Sequence, residues 1–194
     1  MTARLLLLFA TATGLLFPSA GASTADAEAR LKSAVTQVLD VAEKSTSPEK
    51  LAADLHPILL NFISFDAMTR RAIGPGWRQF TGDQQKKAVQ LFTTLIIRTY
   101  SDKFTPGQHP AVNYKAAVTP SPGRVEIPTS LLYKGSSYDV TYRMEEEDKW
   151  RITDVVIEGV SLVANYRSQF DAQFKKNGAN AVISALSQAE RKTP

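Results

Sequence analysis

The spacing of apolar residues changes twice along this chain, and the change limits the folds that the chain can adopt. From Thr24 to Phe104, apolar side chains recur every three or four residues, as on one face of an α-helix. Between Val112 and Glu158 they alternate with polar residues, as on one face of a β-strand, and from Ser161 the helical spacing returns. Short turns between consecutive strands favour antiparallel pairing. The pattern therefore predicts an α+β fold, in which several helices cover a curved antiparallel sheet of about four strands.

Capping and turn residues give the boundaries of the first predicted helices. One helix is expected from Thr24 to Lys44, and Ser47-Pro48-Glu49 opens a second one that runs through Leu59. Asp66 is expected to cap a short third helix, which Gly74-Pro75-Gly76 ends.

The longest predicted helix begins at a capping box formed by Thr81 and Gln84. It is expected to end near Phe104, which gives a length of about 34 Å. Lys86 and Arg98 lie within it, so it is interpreted as a helix of the folded domain and not as a membrane span.

Alternating residues outline four strands within Val112–Val118, Val125–Leu131, Tyr138–Met144 and Trp150–Glu158. Val155-Val156-Ile157 is apolar on both faces, so the last strand is expected to be covered on both sides or to be central in the sheet. Two helices follow, over 161–176 and 179–190, and Asn177-Gly178 separates them. Because helices that span a curved sheet need not fill the space beneath them, we expect the fold to enclose an apolar cavity.

The first 22 residues have the order of a secretory signal peptide. Arg4 gives the positive start, an apolar run extends from Leu5 to Phe17, and Ala20-Gly21-Ala22 offers small residues to a signal peptidase. The apolar run is too short for a spanning helix, which needs roughly 20 apolar residues. We therefore expect residues 1–22 to be removed and residues 23–194 to form a single exported, soluble domain.

The composition excludes several classes of function. The chain has no cysteine, which excludes disulfides, thiol catalysis and the strongest class of zinc site. Without Arg4, 22 basic residues stand against 19 acidic ones. The basic residues are scattered along the chain and do not form the blocks that are typical of a nucleic-acid-binding protein.

Few residues could carry catalysis or bind a metal. His56 and His109 have no neighbouring acid at the spacing of metal ligands, and the run Glu145–Asp148 is typical of a solvated hairpin. Asp154 and Glu158 could act as acid and base only if they were buried side by side. The sequence therefore predicts a protein that is not an enzyme and that uses no metal or cofactor.

Two segments of the chain carry a more specific pattern. The first comprises Phe65-Asp66-x-Met68, Gly74-x-x-Trp77, Thr81-x-x-Gln84, Phe92 and Arg98-Thr99-Tyr100. The second runs from Trp150 to Leu162 and continues through Asn165-Tyr166-Arg167-x-Gln169-Phe170 to Gly178. Together they resemble the MlaC family, also called toluene-tolerance auxiliary proteins, of Gram-negative lipid-transport systems. The resemblance is weakest before Leu51 and in the strands from Val112 to Leu132, and it is most specific from Asp154 to Phe170.

The resemblance implies a periplasmic phospholipid carrier. Members of that family shuttle glycerophospholipid between an outer-membrane lipoprotein complex and an inner-membrane ABC transporter, which maintains outer-membrane lipid asymmetry. The acyl chains lie in a cavity between sheet and helices, and the bound phospholipid is cargo, not a cofactor. A two-chain lipid has about 30 methylenes, and exposing them to water at about 0.8 kcal/mol each costs over 20 kcal/mol. A carrier must therefore bury the tails.

Large apolar residues on the flanking helices and on the sheet are the expected tail-binding wall. They are Phe65, Met68, Ile73, Trp77, Leu95, Ile96, Tyr100, Val125, Ile127, Tyr138, Val140, Tyr142, Trp150, Ile152, Val156, Val160, Leu162, Tyr166 and Phe170. Each of them could equally serve as packed core. Arg98, Arg143 and Arg167 are candidates for the cavity mouth, where a guanidinium can bind a phosphate with two hydrogen bonds. For each of them, ion pairing with a surface acid is the alternative.

Two alternatives stay open at this point. The cargo could be a hopanoid or another polycyclic lipid, since relatives of the family accompany such pathways. The protein could also be a periplasmic adaptor with a solid core that binds no lipid and only docks membrane complexes. The identity of the extracted lipid distinguishes a carrier of polycyclic lipids from a phospholipid carrier. The presence of a cavity or of bound lipid distinguishes a carrier from an adaptor.

Overall fold

The computed structural model of this protein describes residues 23–192, except positions 104, 106 and 109. The predicted signal peptide over residues 1–22, His109 and the expected helix end at Phe104 lie outside the described residues. Within the described part of the chain, no helix is long and apolar enough to cross a membrane.

The helices agree closely with the capping signals in the sequence. They are α1 (Thr24–Lys44), α2 (Pro48–Phe62), α3 (Phe65–Ile73), a 3₁₀ helix (Gly74–Gln79), α4 (Gly82–Ser101) and α5 (Leu162–Lys192). The predicted capping box of Thr81 and Gln84 is confirmed, because each side chain bonds the other residue's backbone N–H. The predicted cap at Asp66 is wrong, since Ser64 precedes α3 and Asp66 lies inside its first turn.

The predicted boundaries of the long fourth helix and of the last two helices differ from those in the structure. α4 has 20 residues and ends at Ser101, so it is about 30 Å long and shorter than expected. α5 spans 31 residues, but its backbone is non-helical at Asn177 and Gly178, where two helices were predicted to meet. Gly178 has φ +56°, a conformation that favours glycine and allows the sharp change of direction.

An antiparallel sheet confirms the predicted fold class, although the described residues contain six strands and not about four. The strands are β1 (Ala111–Tyr114), β2 (Val118–Ser121), β3 (Arg124–Tyr133), β4 (Ser136–Glu146), β5 (Trp150–Ile157) and β6 (Val160–Ser161). β1 and β2 pair with opposite ends of β3, so the single strand expected over 112–118 is divided. The remaining order is β3-β4-β5-β6.

An irregularity in β5 changes which of its side chains share a face of the sheet. Arg143 lies opposite Asp154, but the next residue on β4, Met144, lies opposite Ile152. Thr153 is therefore an extra residue that reverses the alternation along β5. As a result, Val155 faces the same side of the sheet as Ile152.

Apolar clusters tie the helices to each other and to the sheet. One cluster joins α3, α4 and α5, and includes Phe92 and Phe170. A second packs Ala27 and Leu31 of α1 onto the face of the sheet that carries Ile127. Burying each of these large side chains contributes about 1.5–3 kcal/mol, so the clusters are the main source of stability.

Candidate functional site

A cavity of about 220 Å³ lies between the sheet and helices α1, α2 and α4. Its wall is almost entirely hydrocarbon, and the described lining residues include no charged side chain. The polar groups in the wall are the hydroxyls of Tyr100, Ser101 and Tyr142. The Ser101 hydroxyl donates a hydrogen bond to the Ile97 carbonyl of its own helix. Such a wall offers non-directional apolar contact and suits a flexible hydrocarbon ligand.

Burial keeps both tyrosines of the wall uncharged. It raises the pKa of Tyr142 to about 12, because the low dielectric disfavours the phenolate, and the nearby Tyr114 adds to this shift. The pKa of Tyr100 is also raised to about 12, mainly by burial and in smaller part by Tyr166. The cavity is therefore electrically neutral at any physiological pH.

The structure brings some of the predicted wall residues together around this cavity. Those that line it are Met68, Ile96, Tyr100, Val140, Tyr142, Ile152 and Leu162. They come from two helices before the sheet, two strands of the sheet and the first residue of α5. Long-range pairing thus joins both halves of the sequence pattern in one wall.

The other predicted wall residues lie elsewhere in the fold. Phe65, Ile73, Trp77, Leu95, Tyr166 and Phe170 pack among α3, α4 and α5. Val125, Ile127 and Trp150 are buried between the sheet and α1. Tyr138 and Val160 are exposed, and Val156 is half-buried on the opposite face of β5 from Val155. The alternative interpretation as packed core describes the first two groups.

The sequence interpretation missed the contribution of α1 and α2 to the wall. These helices and their neighbours supply Leu31, Ala34, Val35, Val38, Leu39, Leu55, Leu59, Phe62 and Ile63. The helical stripe of α1 contained the signal, but the family pattern is weakest before Leu51. The wall also includes Ile97, Ser101, Val112, Leu131, Val155 and Ile157, which were not selected.

The three arginines expected at the cavity mouth do not line the cavity. Arg143 lies on the opposite face of β4, where its guanidinium binds Glu126 at 2.9 Å and Asp154 at 3.1 Å. Arg98 lines a surface groove between α2 and α4. Arg167 lies against Gly74, since a Cβ added to Gly74 would be 3.1 Å from the Cζ of Arg167. A head-group role for these residues has no support from their positions.

Asp154 and Glu158 are not buried side by side, as an acid and base pair would require. Asp154 is buried and bonded to Arg143, whereas Glu158 is exposed in a turn and accepts a bond from the backbone N–H of Asp139. In the described part of the chain, no group of acidic and histidine side chains could hold a metal ion.

Comparison with known proteins gives a family and a similar fold. The MlaC protein family model matches residues 30–188. The fold is similar to that of a phospholipid-binding protein from Ralstonia solanacearum, solved in complex with a phospholipid. The two share 24% sequence identity with a TM-score of 0.80, over 87% of this chain and 98% of the other. No curated protein sequence matches the chain.

Proposed function

Because the chain belongs to the MlaC family, we propose that it is a periplasmic carrier that binds phospholipid acyl chains in the apolar cavity. The carrier shuttles phospholipid between an outer-membrane lipoprotein complex and an inner-membrane ABC transporter, and so maintains outer-membrane lipid asymmetry. Residues 1–22 direct its export, and residues 23–194 form the single carrier domain. The phospholipid-bound relative from Ralstonia solanacearum has the same fold, which supports this assignment.

The neutral hydrocarbon wall between sheet and helices is the observation that carries the proposal. Each methylene moved from water to this wall contributes about 0.8 kcal/mol, whatever the length or branching of the chain. The described wall offers no charged group that would hold one head group strongly. A site of this kind retains lipid through its tails and can still release it to a partner, as a carrier requires.

The size of the cavity indicates that its walls move apart when lipid binds. At about 220 Å³ it is smaller than the roughly 300–1,000 Å³ of sites that enclose drug-sized ligands. Val38 of α1 and Leu59 of α2 form one side of it, and Val140 and Val155 of the sheet form the other. We therefore expect α1 and α2 to separate from the sheet as the tails enter.

Native mass spectrometry of residues 23–194, purified from a bacterial periplasm and followed by lipid extraction, tests the proposal. Added mass that resolves into phospholipids is the expected result. Added mass from polycyclic lipids would instead establish the hopanoid alternative. A protein that stays bare, even after incubation with phospholipid vesicles, would overturn the carrier function and favour the adaptor.

A matched pair of variants on α1 tests whether this cavity holds the lipid. Val38 is half-buried in the cavity wall, and Thr36 is exposed on the same helix. Val38→Glu should reduce co-purified phospholipid to about a tenth, because a carboxylate against acyl chains is costly to desolvate. Thr36→Glu should retain lipid at the level of the unmodified protein. Equal lipid content in the two folded variants would place the lipid elsewhere.

The proposed partners can be tested separately from lipid binding. Site-specific photo-crosslinking in living Gram-negative cells, from positions around the cavity, should capture an outer-membrane lipoprotein complex and an inner-membrane ABC transporter complex. Crosslinks to neither complex, in a protein that carries phospholipid, would contradict the shuttle and leave phospholipid binding intact.

A further inference from the structure

The carboxylate of Asp154 lies at the junction between the sheet and the last helix. Asp154 is on β5, and its side chain is only 8% exposed. One carboxylate oxygen accepts the backbone N–H of Val163 at 3.1 Å. The other accepts the Ser161 hydroxyl at 2.6 Å and the Arg143 guanidinium at 3.1 Å. Three donors from three elements therefore converge on one buried acid.

These hydrogen bonds organise the first turn of α5. Ser161 precedes the helix, and its hydroxyl oxygen accepts the backbone N–H of Ala164 at 3.0 Å. Asp154 satisfies the N–H of Val163, another of the donors that a helix leaves free at its N-terminus. Its negative charge also lies at the positive end of the helix dipole. The N-terminus of α5 is thus fixed by a side chain of the sheet.

The opposite side of the same junction is cavity wall. Val155 follows Asp154 along β5, Leu162 is the first residue of α5, and both line the cavity. Glu158 and Gly159, with φ of +50° and +77°, form the tight turn that brings the two segments together. A shift of the first turn of α5 would therefore move Leu162 in the wall.

Arg143 extends the junction across the sheet. It binds Glu126 of β3 as well as Asp154 of β5, so charged bonds run across three neighbouring strands to the start of α5. Charge-assisted bonds of a buried acid are stronger than bonds between neutral groups. The arrangement therefore ties the cavity wall formed by β5 and the start of α5 to the neighbouring strands.

We propose that Asp154 is a positioning residue of the cargo cavity, because its carboxylate holds the first turn of α5 against β5 and keeps Leu162 in the wall. This role rests on the proposed carrier function. The residue touches no cargo, and it sets how tightly the closed wall retains the acyl chains.

Release of pyrene-labelled phosphatidylethanolamine from the loaded protein to excess unlabelled phospholipid vesicles tests this role. Asp154→Asn should release the lipid about tenfold faster, because its amide presents a donor where Arg143 and Ser161 also donate. Asp171→Asn is the matched control, since Asp171 lies on α5 and pairs with Lys175 at the exposed surface. Its release rate should equal that of the unmodified protein.

A covalent link between β5 and the residue that precedes α5 distinguishes a positioning role of Asp154 from a general loss of stability. The chain has no cysteine, and Val156 and Ser161 lie directly opposite each other on β5 and β6, so V156C/S161C in the Asp154→Asn variant introduces a single possible disulfide. The oxidised protein should release lipid slowly, and the same protein after reduction should release it about tenfold faster. Equal rates in the two forms, or an Asp154→Asn variant that releases lipid at the normal rate, would overturn the proposal.

Amide exchange distinguishes a failure of this inference from a failure of the carrier function. In Asp154→Asn without lipid, the N–H of Val163 should exchange with deuterium at least about tenfold faster, since its acceptor is weakened. Unchanged exchange would overturn the positioning role directly. Faster exchange in a protein that takes up no lipid would support the positioning role of Asp154 and overturn only the carrier function.

Discussion

Gly76 lets the 3₁₀ helix pack directly against α5. A Cβ at this position would lie 2.9 Å from ring carbons of Phe174, closer than side chains approach in folded proteins. The Phe174 ring in turn stacks on Phe80 at 6.2 Å between centroids. Gly76→Ala should therefore lower the free energy of unfolding by about 1–2 kcal/mol, as overpacking does elsewhere.

Gly82 provides the control for this prediction. It is the first residue of α4, and nothing lies within 4 Å of the Cβ that an alanine would add. Gly82→Ala should leave stability unchanged or raise it by about 0.5 kcal/mol, because alanine restricts the unfolded chain. Urea unfolding of both variants measures the difference, and equal midpoints would contradict the close packing at Gly76.

The buried phenol of Tyr142 should make the folded protein less stable at alkaline pH. Its pKa is about 12 in the folded protein and about 10 in the unfolded chain, so folding favours the neutral phenol. Its contribution to stability is present below pH 10 and is lost as the pH rises to 12. Urea unfolding between those values should show that Tyr142→Phe loses about 2 kcal/mol less than the unmodified protein. A parallel decline in both would contradict burial of the phenol.

Among the elements, the helix starts were the most predictable because local chemistry decides them. The hydroxyls of Ser47 and Thr81 accept backbone N–H groups of the helices that follow, as the sequence indicated. The limits of β2 and the alternation of β5 depend on pairing with distant residues, so the sequence could not show them. Thr153 is an example, because it becomes an extra residue of β5 only when that strand pairs with β4.

The cavity wall was less predictable than the fold. The apolar stripe of α1 is the same whether the helix covers a filled core or an open space, so Leu31 and Val35 gave no sign of a cavity. By residue type alone, Arg143 could be a phosphate ligand or an ion-pair partner of an acid. Its partners, Glu126 and Asp154, become neighbours only through strand pairing.

The capping box of α4 supports the helix that carries Ile96 and Tyr100 into the cavity wall. Thr81→Ala should lower the free energy of unfolding by about 1 kcal/mol, because a backbone N–H of the first turn loses its acceptor. Thr94→Ala is the control, since the Thr94 hydroxyl only bonds the Gln90 carbonyl within the same helix. That variant should stay within about 0.5 kcal/mol of the unmodified protein in urea unfolding.

For the whole molecule, bound cargo and stability are linked. A ligand that binds only the folded state at a hundred times its Kd adds about 2.7 kcal/mol. For a domain of this size, that gain corresponds to a rise in Tm of about 5–10 °C. Calorimetry of the phospholipid-loaded and the delipidated protein should show this difference. Val38→Glu should melt at one temperature in both preparations, and a shift in that variant would contradict a cavity-bound cargo.

The packing of α1 on the sheet joins the beginning of the chain to its far end. The guanidinium of Arg30 donates a bond to the Trp150 carbonyl across 120 positions, and Leu31 packs with Ile152. Contacts between such distant segments form late and slow the folding of a domain. The apolar stripe of α1 therefore stays uncovered until β5 is present, and this exposed stripe makes an incomplete or unfolded chain prone to aggregation. The compartment for the cargo closes only when nearly the whole chain has been made.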